Sequence, residues 1–172
     1  MLVRDAERRD LPVVVEIYNE FVHTTTSIYT DAAQTLEERQ VWFDAREQRG
    51  FPTLVAAIGD RVVGVAAFGD FRDSIRWPGY RFTVEHSVHV SSDSWGTGVG
   101  QALVHALFER ARKMNVHAMI GAVDAENIRS LAFHARLGFR EVARMPQVGW
   151  KLNRWCDLVL VQRFIDRDEL GD

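Results

Sequence analysis

The sequence predicts an α/β (α+β) fold, a mixed and mostly antiparallel sheet with helices on both faces. Three observations carry this. Apolar spacing switches between the helical and the strand period along the chain. Two β-rich runs, 54–58 and 61–68, are separated only by Gly59 and Asp60, the signature of a two-residue hairpin. The run VHAMIGAV at 116–123 is apolar enough to be a central strand. At 172 residues the chain suits one domain, taken as 1–172, with enough length to bury a core.

The elements follow in order. Asp10, Leu11 and Pro12 read as an N-cap and first turn, after which Val14, Ile17, Tyr18, Phe21 and Val22 recur at helical spacing. Thr35 with Glu38 forms a capping-box pattern and opens a second helix that ends at Gly50, its apolar face assigned to Leu36, Val41, Trp42 and Ala45. After the hairpin, FTVEHSVHV at 82–90 alternates, with Phe82, Val84, His86, Val88 and Val90 on one face and Thr83, Glu85, Ser87 and His89 on the other. A glycine loop leads into a helix striped by Leu103, Val104, Leu107, Phe108 and Ala111. Asn127 caps a last helix through Leu137, Gly138 stops it, and FREVAR and CDLVLVQRF complete the sheet.

A net charge of -3 argues against nucleic-acid binding, and no apolar run approaches the roughly 18 residues of a membrane span. Small-molecule partners are the expectation. The single cysteine, Cys156, permits no internal disulfide and points to the reducing cytoplasm. His23, His89, His105 and His117 have no metal-ligand spacing, so no metal is expected.

The loop SSDSWGTGVG (91–100) joins a strand to a helix N-terminus, where unsatisfied N–H groups and the helix dipole favour an anion. Gln101 follows Gly100 where a P-loop needs lysine, and it also stands where a Rossmann fingerprint needs its third glycine. With both excluded, the order strand, x-x-G-x-G, helix, strand, then N-x-x-S-x-x-F-H-x-x-L-G-F (Asn127 to Phe139) resembles the GNAT superfamily of acyl-CoA N-acyltransferases. IYNEFV, RQVWFDAR, FGDFR, TVEHSVHV, MPQVG and RWCDL further resemble its phosphinothricin and methionine sulfoximine N-acetyltransferase branch, over residues 3 to 164.

The resemblance implies the GNAT fold with a splayed cofactor cleft, acetyl-CoA as co-substrate and a homodimer. It places the pyrophosphate on the amides of Gly96, Thr97, Gly98, Val99, Gly100 and Gln101, the pantetheine beside Val88, His89 and Val90, and Asn127 near the cofactor. Glu85, on the polar face of its strand, is the base expected for the amine. Val88 N–H polarises the thioester carbonyl. His134 matches the position of the family's proton donor and serves either the thiolate or the ordering of substrate. An amino-acid carboxylate favours a planar guanidinium fork, assigned to Arg72 first and Arg81 second. Glu85, His86 and Ser87 join them in the substrate site, although the alternation makes His86 a buried, hydrogen-bonded core residue, and Glu85 also reads as a surface partner of Arg81 or Arg72.

Two features depart from the branch. DSIRWPGY (73–80) is longer than expected, with Phe71, Trp77 and Ile28 as candidate pocket walls. Trp95 and Thr97 stand where relatives carry Arg or Gln and often a base, so side-chain charge near the pyrophosphate is reduced. The expected activity is N-acetylation of a small amino acid or analogue. The alternatives are a ligand-sensing or protein-binding module with weakened CoA affinity, and a protein N-terminal acetyltransferase.

Overall fold

Leu2–Asp5 forms a strand that the apolar alternation does not flag, because it is four residues long and exposed at both ends. The computed structural model, which describes residues 1–166, pairs this β1 antiparallel with β2 (Thr53–Ile58) from Leu2↔Ala57 to Asp5↔Leu54. The sheet has seven strands in the order β1-β2-β3-β4-β5-β7-β6. The others are β3 (Arg61–Asp70), β4 (Thr83–Val90), β5 (Ala118–Asp124), β6 (Arg140–Lys151) and β7 (Arg154–Phe164). Every pairing is antiparallel except β4 with β5. Gly59, with φ +59°, makes the β2–β3 turn as expected.

Helices α1 (Leu11–Val22) and α2 (Leu36–Gln48) cover one face, where Leu11, Val14, Ile17, Phe21 and Phe43 pack on Val55, Val62 and Val65. Helix α3 (Val99–Lys113) covers the other, with Leu103, Val104, Leu107, Phe108 and Ala111 all buried against strand residues such as Ala66, Phe68 and Met119. Helix α4 (Ile128–Arg136) is capped by Asn127, whose side chain accepts the Ser130 N–H at 3.0 Å, and Gly138 at φ +80° ends it.

Two local readings are corrected. Asp10 does not cap α1 with its side chain. Residues 8–10 already turn as a 3₁₀ segment, which directs the carboxylate back to the Glu7 N–H (2.8 Å) and the Arg4 guanidinium (2.6 and 2.8 Å). The buried face of α2 carries Arg39 and Phe43, while Leu36, Val41 and Ala45 are exposed. Two arginines sit on the inward face of that helix, so a reading that counts charges as outward turns it by about one residue's rotation.

The α1–α2 connection, residues 23–35, is fastened to the far half of the sheet. Tyr29 Oη donates to Asp124 Oδ2 (2.8 Å) and lies 3.0 Å from Asp157 O, Asn127 Nδ2 donates to Ser27 Oγ (3.2 Å), and the fully buried Lys151 Nζ donates to Val22 O and Thr30 O. Gly149 leaves the space that the Tyr29 ring fills, since a Cβ there would lie 2.3 Å from the ring.

Candidate active site

The β4–β5 pairing runs only from Thr83↔Ala118 to His86↔Gly121, yet β4 continues to Val90. This is the splay. Ser91 N–H bonds Val63 O, so alternate residues of β4 direct their backbone groups to β3 and the intervening ones, His86, Val88 and Val90, direct theirs toward β5. Beyond His86 no strand among the described residues meets them there, which leaves Val88 N–H facing the gap.

The loop continues from this edge. Gly96 and Gly98 have φ of +77° and +87°, and a Cβ at either would meet nothing within 4 Å, so the loop is open on those sides. The first intrahelical bond of α3 runs from Ala102 N–H to Gly98 O, leaving the N–H groups of Val99, Gly100 and Gln101 available to an anion. Gly100 serves a different end, because it lies within α3 and the Phe133 ring of α4 stands 3.4 Å from where its Cβ would be. Thr97 Oγ1 donates to Ser94 O at 2.6 Å and adds no charge. Three free amides at a helix N-terminus suit an anionic group such as a diphosphate.

Glu85, Ser87 and His89 share the α1/α2 face of β4. His89 packs against Tyr18 and Phe21, with centroids 5.6 and 5.8 Å away, and burial together with the Arg39 charge pushes it down to about 4. Ser87 is exposed. Glu85 is half-buried, and burial holds its carboxyl above the usual range, partly offset by the charge of Arg46. Neither Arg72 nor Arg81 pairs with it. Both are exposed on the 71–82 segment, Arg72 beside Phe71 and Tyr80 and Arg81 over Phe82 with Nη1 donating to Pro78 O. Trp77 is exposed there too, while Ile28 packs with the α1/α2 core.

The cation whose charge acts on Glu85 is one the sequence reading did not single out, Arg46. Gly69 pairs with Glu85 across β3 and β4, and a Cβ on Gly69 would lie 2.7 Å from Arg46 Nη1. The absent side chain is therefore the seat of the Arg46 guanidinium, which also donates to Phe68 O and stacks 4.3 Å from the Trp42 ring. Arg39 covers the same indole at 4.6 Å, and Tyr18 at 4.7 Å. Burial, with Arg39 nearby, brings Arg46 down to about 10. The signal was present as Arg39, Trp42, Phe43 and Arg46 at i, i+3, i+4 and i+7, one face of a helix.

His86 points to the opposite face. It is buried between His134 and Phe139 (centroids 5.2 and 5.1 Å), and neither ring nitrogen has a hydrogen-bond partner among the described residues, so it is not the hydrogen-bonded core residue expected. Burial takes it down to about 3. His134 is also buried, and burial lowers its pKa, so it is neutral near pH 7. Its Nδ1–H donates to Ser130 O at 2.7 Å, which leaves Nε2 as a lone-pair acceptor. Asn127 uses both side-chain groups within the protein, on Ser130 and Ser27. Among the described residues no group of three or more His, Cys, Asp or Glu could hold a metal ion, and no helix is long and apolar enough to cross a membrane.

Comparison with known proteins identifies the family. The chain is 45% identical over 165 residues, 95% of its length and 94% of the relative's, to an L-methionine sulfoximine/L-methionine sulfone acetyltransferase of Pseudomonas paraeruginosa. It is 33% identical, over 94% of its length and 81% of the relative's, to a phosphinothricin N-acetyltransferase of Alcaligenes faecalis. Its fold superposes with a TM-score of 0.92, at 38% identity and over 100% and 98% of the two chains, on the yncA acetyltransferase of Salmonella typhimurium solved with acetyl-CoA. The model of the Acetyltransferase (GNAT) family matches residues 14–139. A sheet that opens beside a helix-capping glycine loop thus has its explanation, for the chain belongs to the GNAT family of acetyltransferases.

Proposed function

We propose that the enzyme moves the acetyl group of acetyl-CoA to the amino group of a small amino acid or analogue of the methionine sulfoximine, methionine sulfone or phosphinothricin type. One observation carries the reading. Glu85, a half-buried carboxylate, stands two residues before Ser87 and three before Val88, whose N–H opens on the splay, so a base and a carbonyl-polarising donor share one strand. Acetyl-CoA supplies the activated thioester. Glu85 would take a proton from the substrate ammonium through a water and Val88 N–H would stabilise the carbonyl oxygen, while the N–C bond forms, the thioester C–S bond breaks, and the departing thiolate takes up the amine's second proton through solvent. His134, with its proton committed to Ser130 O, orders a donor at Nε2 rather than supplying a proton itself. Arg72 and Arg81, exposed on the segment that joins β3 to β4, receive the substrate carboxylate.

A panel of phosphinothricin, methionine sulfoximine, methionine sulfone, common amino acids and a peptide with a free N-terminus, followed by thiol release from acetyl-CoA, tests this. Turnover confined to the peptide would overturn it.

The protein works as a homodimer in the cytoplasm in this reading. Edge strand β6 and its neighbour β7 leave Val142, Met145, Val148, Trp150 and Trp155 exposed, and the two tryptophans pack edge to face at 5.0 Å. Such an apolar strip on an open edge favours a second copy. Light scattering is expected to give twice the chain mass for the wild type and a shift toward monomer for Trp155→Glu.

A further inference from the structure

Trp95 sits at the mouth of the glycine loop, where a cation would be more useful to a diphosphate. Its indole N–H donates to Val90 O at 2.7 Å, and its ring lies near parallel to that of Phe21 (centroids 6.1 Å, 22°), so the ring is folded onto the protein and fixed there. The Arg129 guanidinium stands 4.6 Å from the centroid of this ring. Phe133, four residues on and therefore on the same face of α4, is the residue that meets Gly100. Two successive turns of α4 thus flank the loop, one touching its helical end and the other its mouth. Arg129 has no carboxylate partner among the described residues. An exposed arginine stacked on tryptophan is commonplace by itself. Here the ring it covers belongs to the loop that leads to three free amide donors, and the other guanidinium on that loop, Arg61, is already paired with Asp93 at 2.6 Å.

We propose that Arg129, presented by Trp95 as a platform, is the cation that binds the phosphate groups of CoA, replacing from α4 the charge that positions 95 and 97 do not carry. Trp95 thereby has a role in cofactor affinity that its chemistry alone would not suggest. The inference rests on residues 96–101 being the diphosphate site. The guanidinium suits either the diphosphate or the 3′-phosphate, since both present paired oxygens to a planar fork.

Calorimetric titration of CoA, dephospho-CoA and acetylpantetheine into the wild type, Arg129→Ala, Arg129→Lys and Trp95→Leu, with thermal melts as a folding control, tests it. Arg129→Ala is expected to weaken CoA about tenfold to a hundredfold, leave acetylpantetheine unchanged, and flatten the dependence of affinity on salt. Arg129→Lys restores part of the loss, and Trp95→Leu reproduces part of it. If Arg129→Ala weakens dephospho-CoA as much as CoA, the diphosphate is the partner, and if only CoA is weakened, it is the 3′-phosphate. Unchanged CoA affinity in Arg129→Ala, or equal loss for CoA and acetylpantetheine, overturns the proposal. A wild type that binds CoA no more tightly than acetylpantetheine overturns the diphosphate site as well, whereas a preference for CoA that survives in Arg129→Ala overturns only the role of Arg129.

Discussion

Replacing Glu85 by glutamine is expected to lower kcat by about 10² to 10⁴, the usual contribution of a positioned base, with the Kd of acetyl-CoA unchanged. Thiol-release kinetics paired with calorimetry separates the two quantities. The substitution keeps the shape of the side chain and removes only its ability to take a proton. A fall in CoA affinity with kcat preserved would remove Glu85 from the chemistry. The pH profile gives an independent reading. Burial raises the Glu85 pKa and the Arg46 charge works against that rise. The carboxylate must be ionised to act, so activity falls as pH drops through its pKa. In Arg46→Gln the opposing charge is gone, the carboxyl titrates higher, and the acid limb of kcat/KM moves to higher pH. Arg46→Lys keeps the charge and holds the limb nearer its original place.

The second large effect concerns stability. Lys151 is fully buried on β6, its ammonium donating to Val22 O and Thr30 O and lying 3.2 Å from the exposed Asp31 carboxylate. Lys151→Met fills the same space and leaves both carbonyls without that donor. Each carbonyl left unsatisfied costs about 1 to 3 kcal/mol, so a loss of about 3 kcal/mol is expected, or roughly 6 to 12 °C in Tm for a domain of this size. Urea denaturation and calorimetric melts measure it. The loop from 23 to 35 is the segment released, so proteolysis should cut first within it. A variant that melts with the wild type would show that water replaces the ammonium at no cost.

Much of this was readable in the chain because burial imposes periodicity. β4 alternates cleanly since one face meets α3 and the other meets α1, and α3 shows its stripe because Leu103, Leu107 and Ala111 have no alternative to the core. The glycine loop was legible for a similar reason, as Gly96 and Gly98 adopt backbone angles that other residues resist. What stayed hidden depends on partners distant in sequence. Arg46 becomes part of the site only because Gly69, 23 positions later, leaves room beside Glu85. Lys151 looks like a surface charge at the end of a strand until the α1–α2 connection folds over it. β1 is too short to show a period, and its identity comes from β2. Trp95 gave no hint of its direction, which Val90 O and Phe21 decide.

Gly69 carries a further consequence, for tolerance to mutation. It lies one residue before the end of β3, and alanine suits a strand better than glycine does. By backbone preference alone the exchange to alanine is harmless. Yet the added methyl would stand 2.7 Å from Arg46 Nη1, so the tip of the guanidinium must shift. A variant could therefore fold, melt normally and bind CoA while the charge that acts on its base is displaced. In a library scored only for soluble expression such a lesion would pass unseen, and the position most exposed to it is the one with no side chain to lose.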